Sequence, residues 1–143
     1  MTVLEITPAS PEYPAMQRLR DEILRKPLRL SITPEDLEAE SDQRHFVLIE
    51  NESVIGCALM FPVSETEAKV RQVAIAESER GRGLGVFLME ELEKTARSDG
   101  FESILLHARA TAVSFYEKIG YEIVSDRFIE VTIPHFAMRK PLE

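Results

Sequence analysis

Arg80-Gly81-Arg82-Gly83-Leu84-Gly85 decides the reading of this chain. Three glycines and two arginines stand between a strand-like run, Val70 to Ile75, and a helix-like run, Val86 to Asp99. Glycine lets the backbone come close to a ligand and take dihedrals closed to other residues. A glycine-rich turn that opens a helix aims several unpaired backbone N–H groups one way, and the helix dipole adds partial positive charge there. Such a loop suits a phosphate or pyrophosphate, and Arg80 and Arg82 could add charge-assisted bonds. It also fits a tight strand-to-helix turn that binds nothing. It is not a P-loop, because no lysine followed by serine or threonine closes it. It is a poor dinucleotide fingerprint, because Val86 stands where a third glycine or alanine is needed.

Outward from the loop, the pattern alternates strands and helices. Toward the N-terminus, Glu67 to Ile75 reads as a long strand after the break at Pro62 to Thr66. Before it, His45 to Glu50 and Val54 to Phe61 read as a hairpin around Asn51-Glu52-Ser53. Thr2 to Ile6 is a short first strand. Ser10-Pro11 is a helix start with a capping hydroxyl, and Met16, Leu19 and Ile23 keep helical spacing until Lys26-Pro27. Thr33-Pro34-Glu35-Asp36 opens a second helix with a cap, a proline and first-turn acids. Toward the C-terminus, Leu84, Leu88, Leu92 and Ala96 line one helix face, which Asp99-Gly100 ends. Ser103 to His107 is a strand, Ala110 to Ile119 a helix stopped by Gly120, and Tyr121 to Ser125 another strand. In the last segment Val131 and Ile133 alternate on odd positions but Phe136 and Met138 on even ones. That change of parity predicts a bulge or kink at Pro134-His135, with His135 at a break in the sheet.

The chain has 143 residues, enough for one domain spanning 1–143 with a real hydrophobic core. Its net charge of −8 argues against general nucleic-acid binding and fits a cationic acceptor such as an amine. The single cysteine, Cys57, forms no internal disulfide, which suggests a reducing cytosol. Met1 to Ile6 lacks the basic start and apolar run of a signal peptide, and no stretch is apolar for long enough to span a bilayer.

Arg-x-x-Gly-x-Gly after the strand end Val73-Ala74-Ile75 resembles the acyl-CoA pyrophosphate loop of the GNAT acetyltransferase superfamily. A second motif, Phe115-Tyr116-Glu117-Lys118-Ile119-Gly120-Tyr121, follows in the family's order. Within the superfamily, Arg71-Gln72-Val73-Ala74, Leu106-His107-Ala108-Arg109 and Ile133-Pro134-His135 are similar to the ElaA-like branch. The resemblance implies an α/β fold of α+β type. Its central sheet would be mixed and mostly antiparallel, with six to seven strands splayed at the middle and about four flanking helices. It implies transfer of an acetyl group from acetyl-CoA to a primary amine, small molecule or peptide, by direct attack in a ternary complex. No metal, nucleic acid or membrane is called for, and a homodimer is compatible with it. A module that senses an acyl-CoA or nucleotide without turnover is the competing reading.

On that resemblance Val73, Ala74 and Ile75 would pair with the pantetheine arm like an added strand. The amides of Gly81, Arg82, Gly83, Leu84, Gly85 and Val86 would hold the pyrophosphate, beside Arg80. Tyr116 holds the place of the general acid; a phenol with a pKa of about 10 keeps its proton at neutral pH. Packing with Phe115 and Ile119 is the alternative account of it. Some family members use a carboxylate base on the fourth strand, where this chain has Lys69, a poor base when charged. His107 and His135 titrate in the useful range and are the candidate bases; Glu130 and a water relay are alternatives. His45 reads as structural, at a strand start beside solvent-like residues. Arg109 could meet a cofactor phosphate, a substrate carboxylate or a surface partner. Cys57 reads as a small buried side chain, and Met60, Met89 and Met138 as core. Arg25, Lys26 and Arg29 fit either a substrate anion or a solvated helix end.

Overall fold

Residues 1–143 are all described in the computed structural model, in which the chain runs β1 (Thr2–Ile6), α1 (Tyr13–Arg20), α2 (Pro34–Ala39), β2 (Arg44–Glu50), β3 (Ser53–Pro62), β4 (Glu67–Ile75), α3 (Leu84–Ser98), β5 (Ser103–Arg109), α4 (Val113–Lys118), β6 (Glu122–Ile123), β7 (Phe128–Glu130) and β8 (Ile133–Pro141). The strand order is β1-β2-β3-β4-β5-β8-β6, with β7 paired to β8, so the sheet has eight strands. No helix is long and apolar enough to cross a membrane. Two units divide the chain: Met1–Phe61 with Gln72–Glu91, and Pro62–Arg71 with Leu92–Glu143.

In the first unit β1, β2 and β3 are antiparallel neighbours. Asn51 and Glu52 join β2 to β3 with φ of 51° and 66°, the paired left-handed residues of a type I′ turn, whose twist matches that of the strands. The β2 run reads as continuously apolar because both its faces are covered. Val47 joins a core with Ile6, Met16, Leu19, Cys57, Leu59 and Ala74, while Leu48 packs with Ile55 and Leu84. Helix α1 begins at Tyr13, with Pro14 in its first turn, two residues later than the Ser10-Pro11 signal predicts. Ser10 is used otherwise, its Oγ accepting the Thr7 N–H at 2.9 Å. Helical backbone continues past α1 through a π-helical turn, Asp21–Arg25, and a 3-10 turn, Lys26–Leu28, before Arg29 turns left-handed. Helix α2 is capped as its sequence predicts. Thr33 Oγ1 accepts the Asp36 N–H, and the Asp36 carboxylate accepts the Thr33 N–H.

Beneath these helices lies a buried ion pair, Arg20 Nη2 to Glu40 Oε2 at 2.8 Å. His45 is wholly buried, not beside solvent, and neither ring nitrogen makes a hydrogen bond of ordinary geometry. Burial pushes its imidazole below the ordinary value, so the ring is neutral.

In the second unit β4 pairs with β5 in parallel from Glu67/Ser103 to Val70/Leu106, and β5 pairs antiparallel with β8. Helix α3 ends where Gly100 takes φ of 92° and the Phe101 N–H reaches the Ala96 carbonyl, as the Asp99-Gly100 pair predicts. Tyr121 to Ser125 is mostly not strand; only Glu122 and Ile123 pair with β8, and Tyr121 turns inward.

The inferred break at Pro134-His135 does not exist. The β8 register runs unbroken from Arg109/His135 to Ser103/Pro141, and β7 adds Phe128/His135 to Glu130/Ile133 on the other side. Val131 belongs to no strand. With Thr132 it forms a second two-residue turn of left-handed residues, φ 49° and 67°. The odd-parity pattern therefore joins a turn residue, Val131, to a strand residue, Ile133. Pro134 is tolerated because the pairs of a tight hairpin alternate in hydrogen bonding. Its nitrogen points away from β7, toward a side where β5 pairing begins only at His135.

Candidate active site

The first unit carries the glycine loop. Strand β4 delivers Val73, Ala74 and Ile75 to it, Ala74 buried and its two neighbours half-buried. Gln72, just before them, takes a left-handed φ of 57°, unusual for a residue inside a strand. Arg80 is extended and exposed. Gly81 and Gly83 have φ of 83° and 74°, and a Cβ at either would meet nothing within 4 Å. Backbone conformation, not crowding, is what demands glycine here. The Gly83 carbonyl accepts the Phe87 N–H at 3.1 Å, which makes Gly83 the cap of α3. The amides of Leu84, Gly85 and Val86 then fall in the first turn, where no earlier carbonyl of the helix can take them. Leu84 is buried and ties the helix start into the core with Leu48 and Ile55.

Arg82 braces this loop. Its two terminal nitrogens each lie 3.0 Å from an oxygen of Glu50 at the end of β2, and Nη1 lies 2.6 Å from Glu79. The hydrogen bond from Arg82 holds the Glu50 carboxyl below the usual carboxylate range, against a small effect of burial. A phosphate at this loop would compete with both carboxylates for the guanidinium, whereas the first-turn amides carry no such competitor.

The second unit carries the titratable groups. Helix α4 buries Tyr116 against Phe115 and Tyr121, whose rings meet it edge-on at 5.0 and 5.6 Å. Burial pushes the Tyr116 phenol up to about 12, so it holds its proton throughout the neutral range. Tyr121 is itself anchored. Its hydroxyl donates to Glu93 Oε2 at 2.9 Å, and Lys140 donates to Glu93 Oε1 at 2.9 Å. The sequence reading missed Glu93, because one acid beside the apolar stripe of α3 looks like an ordinary surface residue.

The strand register places the remaining candidates on one face. Lys69 pairs with Leu105, two residues from His107; Arg109 pairs with His135, which pairs with Phe128, two residues from Glu130. Period-two alternation puts all of these on the same side, while Ala68, Val70, Ile104, Leu106, Ala108 and Met138 fill the other. His107 Nδ1 lies 3.1 Å from Glu130 Oε1 and 3.4 Å from Lys69 Nζ, and His135 Nε2 lies 3.8 Å from Glu130 Oε2. Burial raises the Glu130 carboxyl, but the His107 hydrogen bond and the charges of His107, His135 and Lys69 outweigh it and hold it below the usual range. Burial pushes the Lys69 ammonium down, Arg71 adds to that, and Glu130 opposes it. The two histidines are thus brought together through Glu130. Phe128, which touches both rings, had no signal of its own. Arg109 ends β5 half-buried. Cys57 is fully buried in the first unit, its thiol pushed up to about 12 by burial, which leaves it inert at neutral pH.

This strand order, with a glycine turn opening α3, is the fold of an acyltransferase. The family model for the acetyltransferase (GNAT) family matches residues 10–121, and the chain belongs to that family. It is 30% identical over 123 residues to an uncharacterized N-acetyltransferase of Bacillus subtilis, YjcF, covering 85% of this chain and 87% of that protein. A putative N-acetyltransferase from Lactobacillus plantarum matches with a TM-score of 0.85 at 25% identity over 100% of both chains. Escherichia coli ElaA matches with a TM-score of 0.82 at 20% identity, over 97% of this chain and 98% of its own. A GNAT family acetyltransferase from Elizabethkingia anophelis, solved with acetyl-CoA bound, matches with a TM-score of 0.76 at 16% identity over 99% and 97%. Acetyl-CoA-dependent N-acetylation is the general reaction of the family.

Proposed function

We propose that this protein transfers an acetyl group from acetyl-CoA to a primary amine by direct attack in a ternary complex. The observation that carries the reading is the loop. Left-handed Gly81 and Gly83 lead into the first-turn amides of Leu84, Gly85 and Val86 at the start of a fifteen-residue helix, an arrangement that suits a diphosphate. Val73 to Ile75 hold the pantetheine arm, and Arg80 meets a phosphate from outside.

The chemistry needs two proton movements. The acceptor ammonium loses one proton, and the freed electron pair on nitrogen bonds to the thioester carbonyl carbon. The carbon–sulfur bond breaks, and sulfur takes a proton from Tyr116. The nitrogen's second proton makes good that loss, while the first leaves through the base to solvent. Tyr116 suits the donor role because a phenol pushed up to about 12 is fully protonated at neutral pH, and the acceptor nitrogen's second proton, passed back to the phenol as sulfur is protonated, carries the transfer forward.

The test is thiol release. Purified protein with acetyl-CoA and a panel of polyamines, amino sugars and peptides should liberate free CoA thiol in an amine-dependent way, with the matching mass gain on the amine. Tight acetyl-CoA binding with no release for any amine would favour a sensor.

A further inference from the structure

His107 and His135 are not equivalent on the polar face of the second unit. At 3.1 Å, a lone pair on His107 Nδ1 would face a lone pair of Glu130 Oε1, which is repulsive. The Lys69 ammonium, at 3.4 Å, is the weaker claimant and can direct its protons elsewhere. The short contact therefore sets the proton on Nδ1, donating to Glu130, and leaves the lone pair on Nε2. The His107 side chain keeps 25% of its surface exposed. His135 keeps only 5%. Its Nδ1 lies 2.9 Å from the Ile133 carbonyl, which can only accept, and its Nε2 is turned to Glu130 Oε2. Phe128 stacks on the His135 ring at 6.0 Å, so neither nitrogen of His135 is offered to a substrate.

We infer that His107 Nε2 is the base that takes the acceptor's proton, and that Glu130 is a positioning residue that sets its tautomer and balances its charge. This rests on the acetyl-transfer reading. One ammonium N–H bond breaks, the proton bonds to the Nε2 lone pair, and the electron pair stays on the acceptor nitrogen for attack. The imidazolium so formed is paired with the Glu130 carboxylate and returns its proton to solvent. Glu130 is needed because Lys69, from β4 and with Arg71 beyond it, opposes a positive ring. His135, from β8, flanks the second Glu130 oxygen. The chain thus replaces a fourth-strand carboxylate with an imidazole one strand over.

Two measurements test this. Nitrogen NMR of the histidine rings in the ligand-free protein should show neutral His107 protonated on Nδ1. That preference for Nδ1 should weaken in Glu130→Gln and return in Glu130→Asp. With an accepted amine, the loss in Glu130→Gln should fall on kcat and leave KM for the amine nearly unchanged, and Glu130→Asp should restore kcat. Turnover should fall roughly 10-fold in Glu130→Gln and roughly 100-fold in His107→Gln, with acetyl-CoA affinity unchanged. A proton found on Nε2, or a tautomer preference unmoved by Glu130→Gln, overturns the inference. So does normal turnover in His107→Gln, which leaves acetyl transfer itself standing. Absence of both acetyl-CoA binding and amine acetylation in the unaltered protein overturns the acetyl-transfer reading and the base assignment with it.

Discussion

Tyr116 and His45 are both buried rings, and burial favours the uncharged form of each. For Tyr116 the uncharged form is the one the proposed proton donation requires. Tyr116→Phe keeps the ring contacts with Phe115 and Tyr121 and removes only the hydroxyl. Saturated turnover should fall about 100-fold while acetyl-CoA affinity stays within about twofold, as steady-state kinetics and calorimetry would show. For His45 the consequence is stability. Its folded value lies below the unfolded value of 6.5, so below that pH the unfolded chain binds a proton that the folded protein excludes. Stability should be full above about pH 6.5 and decline below it, by at most about 1.4 kcal/mol per pH unit until the folded value is passed. Urea unfolding at pH 7.5 and pH 5.5 measures this, and His45→Leu should shrink the difference. Tyr116 could be singled out in the sequence because a motif surrounds it. The burial of His45 was not legible, because a lone histidine at a strand start carries no sign of which residues will roof it.

The two hairpins show what elements reveal and conceal. Asn51-Glu52 and Val131-Thr132 adopt the same left-handed pair of conformations. Asparagine tolerates that region, so the first turn could be read from the sequence. Valine and threonine are β-branched and resist it, so the second turn looked like strand, and the parity change was misread as a bulge at His135. Holding such residues left-handed costs on the order of 1–3 kcal/mol. Replacing Val131-Thr132 with Asn-Gly should therefore stabilise the protein by about 1–2 kcal/mol, seen as a later urea midpoint with unchanged slope. The same substitution bears on Glu130, which sits one residue before the turn. If it leaves the His107 proton on Nδ1, the carboxylate is positioned by β7 pairing and not by the strained turn.

At the scale of the whole chain, element order and two motifs were enough to give the family, because each motif depends on backbone conformations that only certain residues allow. The polar face could not be read that way. Lys69, His107, Glu130 and His135 are scattered over sixty-seven positions and meet only through strand register. The loop, by contrast, makes a prediction about the whole folding equilibrium. A ligand that binds only the folded state stabilises it by about 2.7 kcal/mol at a hundredfold excess over Kd. For a chain of 143 residues that corresponds to a rise in Tm of about 9 °C. Acetyl-CoA and CoA should both give such a shift, and simple amines alone should not. Gly83→Val separates fold from site. No atom lies within 4 Å of a Cβ added there, so the main expected cost to the empty protein is that of a left-handed valine, about 1–3 kcal/mol. Relaxing that strain moves the Gly83 cap and re-aims the amides of Leu84, Gly85 and Val86. The variant should therefore still melt in one cooperative transition while its acetyl-CoA shift disappears; a shift of normal size would mean that the donor's phosphates bind elsewhere.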